Sequence, residues 1–255
     1  MPRLPRTGAT QPIRQSIARA ARAGLDPVEL GRRLIVLSPH FDDAVFSLGA
    51  TIARATRSGA QVTVLTVFAG DPRSRVTAGP WDHEAGFRTE GEAAAARRRE
   101  DARACAILSA RPVWQPFPDE QYADALDDAV LIEALEEEVG NADTLLVPGF
   151  PLIHADHLRL AALVLEAGFF PGTIRLYVEQ PYALWEDGLG VPARLGEAAV
   201  AVDWQGARFG YRDTVLKMLA CRSYKSQLGL MPHPVVWPMS RYEVVSTPVA
   251  SLETV

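Results

Sequence analysis

Short apolar runs alternate with longer segments of helical spacing along most of this chain. "RLIVLS" (33–38) is a compact apolar run of strand type, and "DAVFSLGATIARATRSG" (43–59) carries apolar residues at helical spacing and closes on glycine. "QVTVLTVFAG" (61–70) is rich in β-branched residues and reads as a second strand. A helix is expected over "EGEAAAARRREDARACAILSA" (90–110), with Ala104, Ile107 and Leu108 on one side. "PVWQPF" (112–117) reads as a third strand, "ALDDAVLIEALEEEVG" (125–140) as an amphipathic helix and "DTLLVPGF" (143–150) as a fourth strand. "HADHLRLAALVLEAG" (154–168) is a helix ending at glycine, and "GTIRLYVEQPY" (172–182) is a fifth strand. Strands alternating with helices of this length predict parallel βαβ units, hence a Rossmann-like doubly wound, mainly parallel sheet with helices on both faces in a single α/β domain.

Two segments break the rhythm. Residues 1–30 read as an N-terminal extension with a short helix at "SIARAARAG" (16–24), leaving 31–255 as the domain. The Gly- and Pro-rich stretches 68–91 and 182–197 are long loops, of the kind that in a compact domain either covers a site or is disordered. Trp81, His83 and Phe87 in the first of them are candidates for an aromatic platform over a pocket, with an ordinary surface loop as the alternative.

Composition narrows the class. With 26 Lys+Arg against 31 Asp+Glu, the chain of 255 residues has a formal net charge of −5, which offers no electrostatic footprint for nucleic acid. No apolar run approaches the ~20 residues that span a bilayer. The basic N-terminus lacks the apolar core of a signal peptide, so a cytoplasmic protein is expected. Two cysteines, Cys105 and Cys221, make no disulfide framework, and Cys105 is expected as a buried thiol.

In open parallel sheets, ligands sit beyond the carboxyl ends of the strands. His40, Asp42 and Asp43 follow the first strand, Asp71 the second, Asp119 the third, and His154, Asp156 and His157 the fourth. Two histidines and a carboxylate from separate loops suit zinc and leave a fourth position for water, and a neighbouring carboxylate can take that water's proton. Each cluster also has an ordinary reading. An aspartate before an apolar helix is commonly its N-cap, and histidines three apart on a helix are often plain surface residues. His83 is expected as a solvated loop residue and His233, between prolines, as a structural one. No GxGxxG or GxxxxGK[ST] cradle follows the first strand, and no GxSxG elbow is present, which weighs against nucleotide binding and serine hydrolysis.

"PHFDDA" (39–44) with "HADH" (154–157) resembles the paired boxes of the PIG-L/LmbE-like family of zinc-dependent N-deacetylases, in which (A/P)-H-x-D-D-E follows the first strand and H-x-D-H the fourth. "RRREDARACAILSA", with Arg97, Glu100, Ala104 and Leu108, and "LKMLACRSYKSQ", with Lys217, Ala220, Tyr224, Ser226 and Gln227, are similar to two further family segments. The resemblance spans roughly 33–227. It implies His40, Asp43 and His157 as zinc ligands, Asp42 as catalytic base, and His154 as the group that stabilises the oxyanion. It also implies Asp156 as the carboxylate that orients a ligand imidazole. Fe(II) suits the same donors. The implied partner is a small-molecule N-acetylated amino sugar or glycoside, with no nucleic acid and no membrane. Asp71, Arg88, Asp119 and Tyr122 are candidate substrate contacts. The chain departs from the box at Ala44, where the family usually has glutamate. A metal-binding protein without catalysis and a Rossmann-like nucleotide binder are the alternatives.

Overall fold

The computed structural model describes residues 24–122, 126–185, 201–231 and 236–249, together with Ala20 and Leu195. The strands are β1 (Arg33–Ser38), β2 (Gln61–Thr66), β3 (Arg111–Trp114), β4 (Thr144–Phe150), β5 (Thr173–Val178), β6 (Trp204–Gly206) and β7 (Val244–Pro248). The helices are α1 (Asp43–Arg57), α2 (Pro80–Glu84), α3 (Glu90–Leu108), α4 (Asp128–Val139), α5 (Ala155–Ala167), α6 (Tyr211–Cys221), α7 (Lys225–Leu228) and α8 (Val236–Met239). Among the described residues none of the helices is long and apolar enough to cross a membrane.

The strands form one sheet in the order β3-β2-β1-β4-β5-β7-β6. The first five are parallel, whereas β7 runs antiparallel to both β5 and β6. The doubly wound α/β expectation therefore holds for the parallel part. The short antiparallel edge, β6 and β7, was not foreseen, because strands of three and five residues carry little periodic signal. The expected third strand stops at Trp114, and β3 lies at the sheet edge, where Pro112 removes no hydrogen bond the sheet interior needs. The fifth strand stops at Val178, and Tyr182–Trp185 forms a 3-10 turn.

Alternation along β1 divides the core into two layers. Leu34 and Val36 pack with α1, α3 and α6, while Ile35 and Leu37 pack with α4 and α5 on the opposite face. Leu25 and Leu30, inside the segment read as an extension, also join the first layer, and Leu25 bridges Ala207. The rest of that segment's expected helix, apart from Ala20 and Gly24, lies outside the described residues, as do His233 and most of the loop 182–197.

Helix α1 is broken at Leu48 (φ −128°, ψ 17°). The break frees the backbone N–H groups of Ala50 and Thr51, and both donate to the Glu243 carboxylate at 2.7 Å. Glu243 is buried and is neutralised by the buried Lys217 ammonium at 2.7 Å, which also donates to the Ser47 carbonyl at 3.4 Å. Gly49 is needed beside this pair, because a Cβ there would stand 2.8 Å from Lys217 Cγ. The pair thus supports the first half of α1, which begins at Asp43. Removing one member of a buried ion pair strands the other charge. Lys217→Met is expected to lower unfolding free energy by about 3–5 kcal/mol, measured by urea denaturation, and a loss below about 1 kcal/mol would count against this account.

Candidate metal centre

Strand β1 lies between β2 and β4, so the chain turns outward in opposite directions from β1 and β4. A crevice opens at such a switch point beyond the carboxyl ends of the strands. The loop after β1 and the start of α1 place His40, Asp42 and Asp43 there, and the loop after β4 with the first turn of α5 places His154, Asp156 and His157 opposite them. Strand order alone brings residues more than a hundred positions apart into contact.

Three atoms face one another. His157 Nε2 lies 3.1 Å from His40 Nδ1 and 3.3 Å from Asp43 Oδ2, and His40 Nδ1 lies 3.4 Å from Asp43 Oδ2. Ligands at ~2.0–2.2 Å from a tetrahedral ion stand ~3.3–3.6 Å apart, so this triangle fits one divalent cation with little adjustment. His157 and Asp43 are buried and His40 is half-buried, which leaves the open side of the triangle toward the crevice.

The rest of each imidazole is held as a metal ligand requires. His40 Nε2 lies 3.1 Å from Asp156 Oδ2 and 3.6 Å from Asp119 Oδ2. His157 Nδ1 is in contact with Glu179 Oε1, deep in the protein. A carboxylate behind a ligand histidine sets its tautomer, ring orientation and basicity. Asp156 lies behind His40 in this way. Glu179 was missed from sequence, although it follows β5 at the same sheet edge and the rule that located the other clusters applies to it. Its second oxygen accepts the N–H of Leu152 at 2.8 Å. Leu152 has φ +57°, a left-handed conformation that L residues with a Cβ rarely adopt, and Glu179 fastens that turn as well as His157.

The electrostatics favour positive charge in the triangle. Burial by itself would lower the His157 pKa, but the carboxylates of Asp43 and Glu179 outweigh it and raise the pKa to about 10. His40 behaves likewise: burial opposes the charged ring, and Asp119, Asp156 and Asp43 bring it well above its ordinary value. Burial would raise Asp43, yet His157 and His40 hold it well below the carboxylate range. A cation seated at the triangle takes over the role of those ring protons.

Asp42 differs from its neighbour. It stands at the N-cap position of α1 but makes no side-chain capping bond, so the simple cap reading fails. Burial, then repulsion from Asp43, pushes its pKa up to about 7. A carboxyl poised near neutrality beside a metal site can both accept and return a proton. His154 caps nothing either, and its ring centroid lies 5.0 Å from that of His157 and 5.2 Å from that of Tyr182. Burial and the neighbouring His157 and His40 lower its pKa.

The remaining candidates separate. Asp119 reaches the site through His40. The Tyr122 hydroxyl donates to Asp82 at 2.5 Å and accepts from Gly79 N–H at 2.9 Å. Asp71 is turned to Arg73 at the surface, and Arg88 pairs with Glu92 one helical turn on. His83 is exposed. Trp81 donates to Gln227 at 2.9 Å, Phe87 lies under the Arg97 guanidinium, and buried Asp82 pairs with Arg97. The long loop after β2 is therefore pinned to α3 and α7. Ala44 is fully buried among apolar residues, and its N–H donates to Ser38 Oγ at 2.9 Å.

The doubly wound α/β sheet thus carries a two-histidine, one-carboxylate triangle able to hold a divalent cation, with a neutral-range aspartate beside it. The family model described as PIG-L, GlcNAc-PI de-N-acetylase, matches residues 35–168, and the chain belongs to that family. The chain is 34% identical over 186 residues to 2'-N-acetylparomamine deacetylase of Streptomyces fradiae, a match spanning 66% of this chain and 63% of that relative. Two solved structures share the fold. The A40926 pseudoaglycone deacetylase Dbv21 superposes with a TM-score of 0.72 at 24% identity, over 88% of this chain and 99% of its own. A zinc-inhibited form of teicoplanin deacetylase Orf2 superposes with a TM-score of 0.73 at 22% identity, over 88% and 100%.

Glu179→Gln keeps the size of the side chain but removes its charge and one of its two accepting oxygens. Divalent-metal affinity is expected to fall about 10–100-fold, read by chelator competition on folded protein. Unchanged affinity would separate Glu179 from the metal centre.

Proposed function

We propose that this chain hydrolyses the N-acetyl amide of an amino-sugar-containing small molecule, with zinc as its metal. The observation that carries the reading is the His40–Asp43–His157 triangle with the carboxyl of Asp42 beside it. The deacetylase named among its relatives supports the substrate class. Bound at the triangle, zinc would supply Lewis acidity, polarising the amide carbonyl and acidifying a water molecule.

The protein's own groups account for the proton movements. Asp42 takes a proton from the attacking water as the oxygen bonds to the carbonyl carbon. His154, across the crevice, donates a hydrogen bond to the oxygen that gains charge. Asp42 then delivers its proton to the departing nitrogen as the C–N bond breaks, so that acetic acid and a free amine leave, and the acid's proton passes to the amine or to solvent. Asp156 and Glu179 keep the two ligand imidazoles oriented throughout.

Intact Asp42 distinguishes this reading from a metal binder without catalysis. Asp42→Asn is expected to retain about one zinc per chain by metal analysis and to lose about 10²–10⁴-fold in kcat on an N-acetylated amino sugar. His157→Ala is expected to lose both zinc and turnover. Full activity in metal-stripped protein would overturn the proposal.

A further inference from the structure

We propose that Glu120 selects substrates that carry a free ammonium group near the acetylated amine, so that the preferred substrate is a partly deacetylated, cationic amino sugar. This inference rests on the deacetylase reading of the site and adds the charge of what enters it.

Glu120 lies beside the site, between Asp156 and His154. Its Oε2 accepts the N–H of Ala155 at 3.2 Å, in the first turn of α5, and its Oε1 stands 3.8 Å from His154 Nδ1. Its own backbone N–H donates to Asp156 Oδ2 at 2.9 Å. The residue is therefore held at both ends, beside the imidazole that faces the reacting carbonyl. Its side chain is still 44% exposed, and a carboxylate with roughly four lone-pair sites has acceptor capacity left for a ligand. Asp119, 23% exposed, adjoins it and faces His40.

The charge of the surroundings points the same way. Carboxyl groups of Asp42, Asp43, Asp119, Glu120 and Asp156 gather at the site, with Glu179 buried behind His157, more negative charge than one divalent ion offsets. Four arginines of the adjoining loop and of α3 are committed elsewhere. Arg73 pairs with Asp71, Arg88 with Glu92 and Arg97 with Asp82, while Arg98 donates to the Gly70 carbonyl. A crevice lined by one sign of charge concentrates ligands of the other sign, and Glu120 is the member of the set most open to solvent beside the scissile bond.

A matched pair of disaccharides tests this. N-acetylglucosaminyl-β-1,4-glucosamine and N,N'-diacetylchitobiose present the same non-reducing N-acetyl group, and only the first carries a free amine. With zinc-loaded full chain, at low salt and below the amine's pKa, kcat/KM is expected to favour the cationic sugar by about five-fold, through KM, with the preference shrinking as salt rises. Glu120→Gln keeps an oxygen for Ala155 and is expected to erase the preference. A purely structural role would depress both substrates together and leave their ratio unchanged, which overturns the proposal, as does equal kcat/KM in the unmodified protein. Hydrolysis of neither disaccharide nor of 2'-N-acetylparomamine would overturn the deacetylase reading as well.

Discussion

A carboxylate buried as deeply as that of Asp43 must be met by positive charge or by hydrogen-bond donors, and the site is built around meeting it. One oxygen accepts the His40 backbone N–H at 2.8 Å and faces both imidazoles. Those imidazoles are backed in turn by Asp156 and Glu179. The result is a nest of alternating acids and bases whose centre is complete only with a cation, either ring protons or a metal ion. At Asp42, the adjacent residue, burial and repulsion from Asp43 outweigh the attraction of His40, and that difference in surroundings separates the two aspartates chemically.

The scaffold delivers this arrangement through backbone that is itself unusual. The α1 break at Leu48 is satisfied by Glu243, which the strand β7 region brings in, and by Lys217 from α6. On the other side of the crevice, Leu152 takes a left-handed turn that Glu179 holds. Both irregularities lie next to a ligand-bearing loop, and each is stabilised by a buried carboxylate accepting backbone N–H groups. Local regularity is given up where the chain must aim a side chain, and a distant residue supplies the compensation. The family resemblance drew attention to Lys217, Gln227 and Arg97 as motif residues. The structure shows what they do here: Lys217 neutralises Glu243, while Arg97 and Gln227 fasten the loop after β2 through Asp82 and Trp81.

Ala44 shows how a departure from the family pattern can be accommodated. Its methyl group joins the apolar cluster with Phe41 and Val45, and its amide is held by Ser38 Oγ, so the position makes no demand for charge in this chain. None of the three facing donor atoms comes from this residue.

Periodicity and turn chemistry by themselves determined the parallel βαβ core, the helices and the loops that end at the carboxyl edge, because those features are written in residues close together in the chain. The paired boxes likewise singled out His40, Asp42, Asp43, His154, Asp156 and His157. The adjacency of β1 and β4, the antiparallel β6–β7 edge, and the partners Glu179, Glu120 and Glu243 were decided only by the tertiary structure. Glu179 meets His157 from 22 positions away and Glu243 meets Ala50 from 193. No local pattern encodes such pairs. They form because a folded interior leaves buried imidazoles and backbone N–H groups that must find an acceptor, and strand order determines which one is in reach.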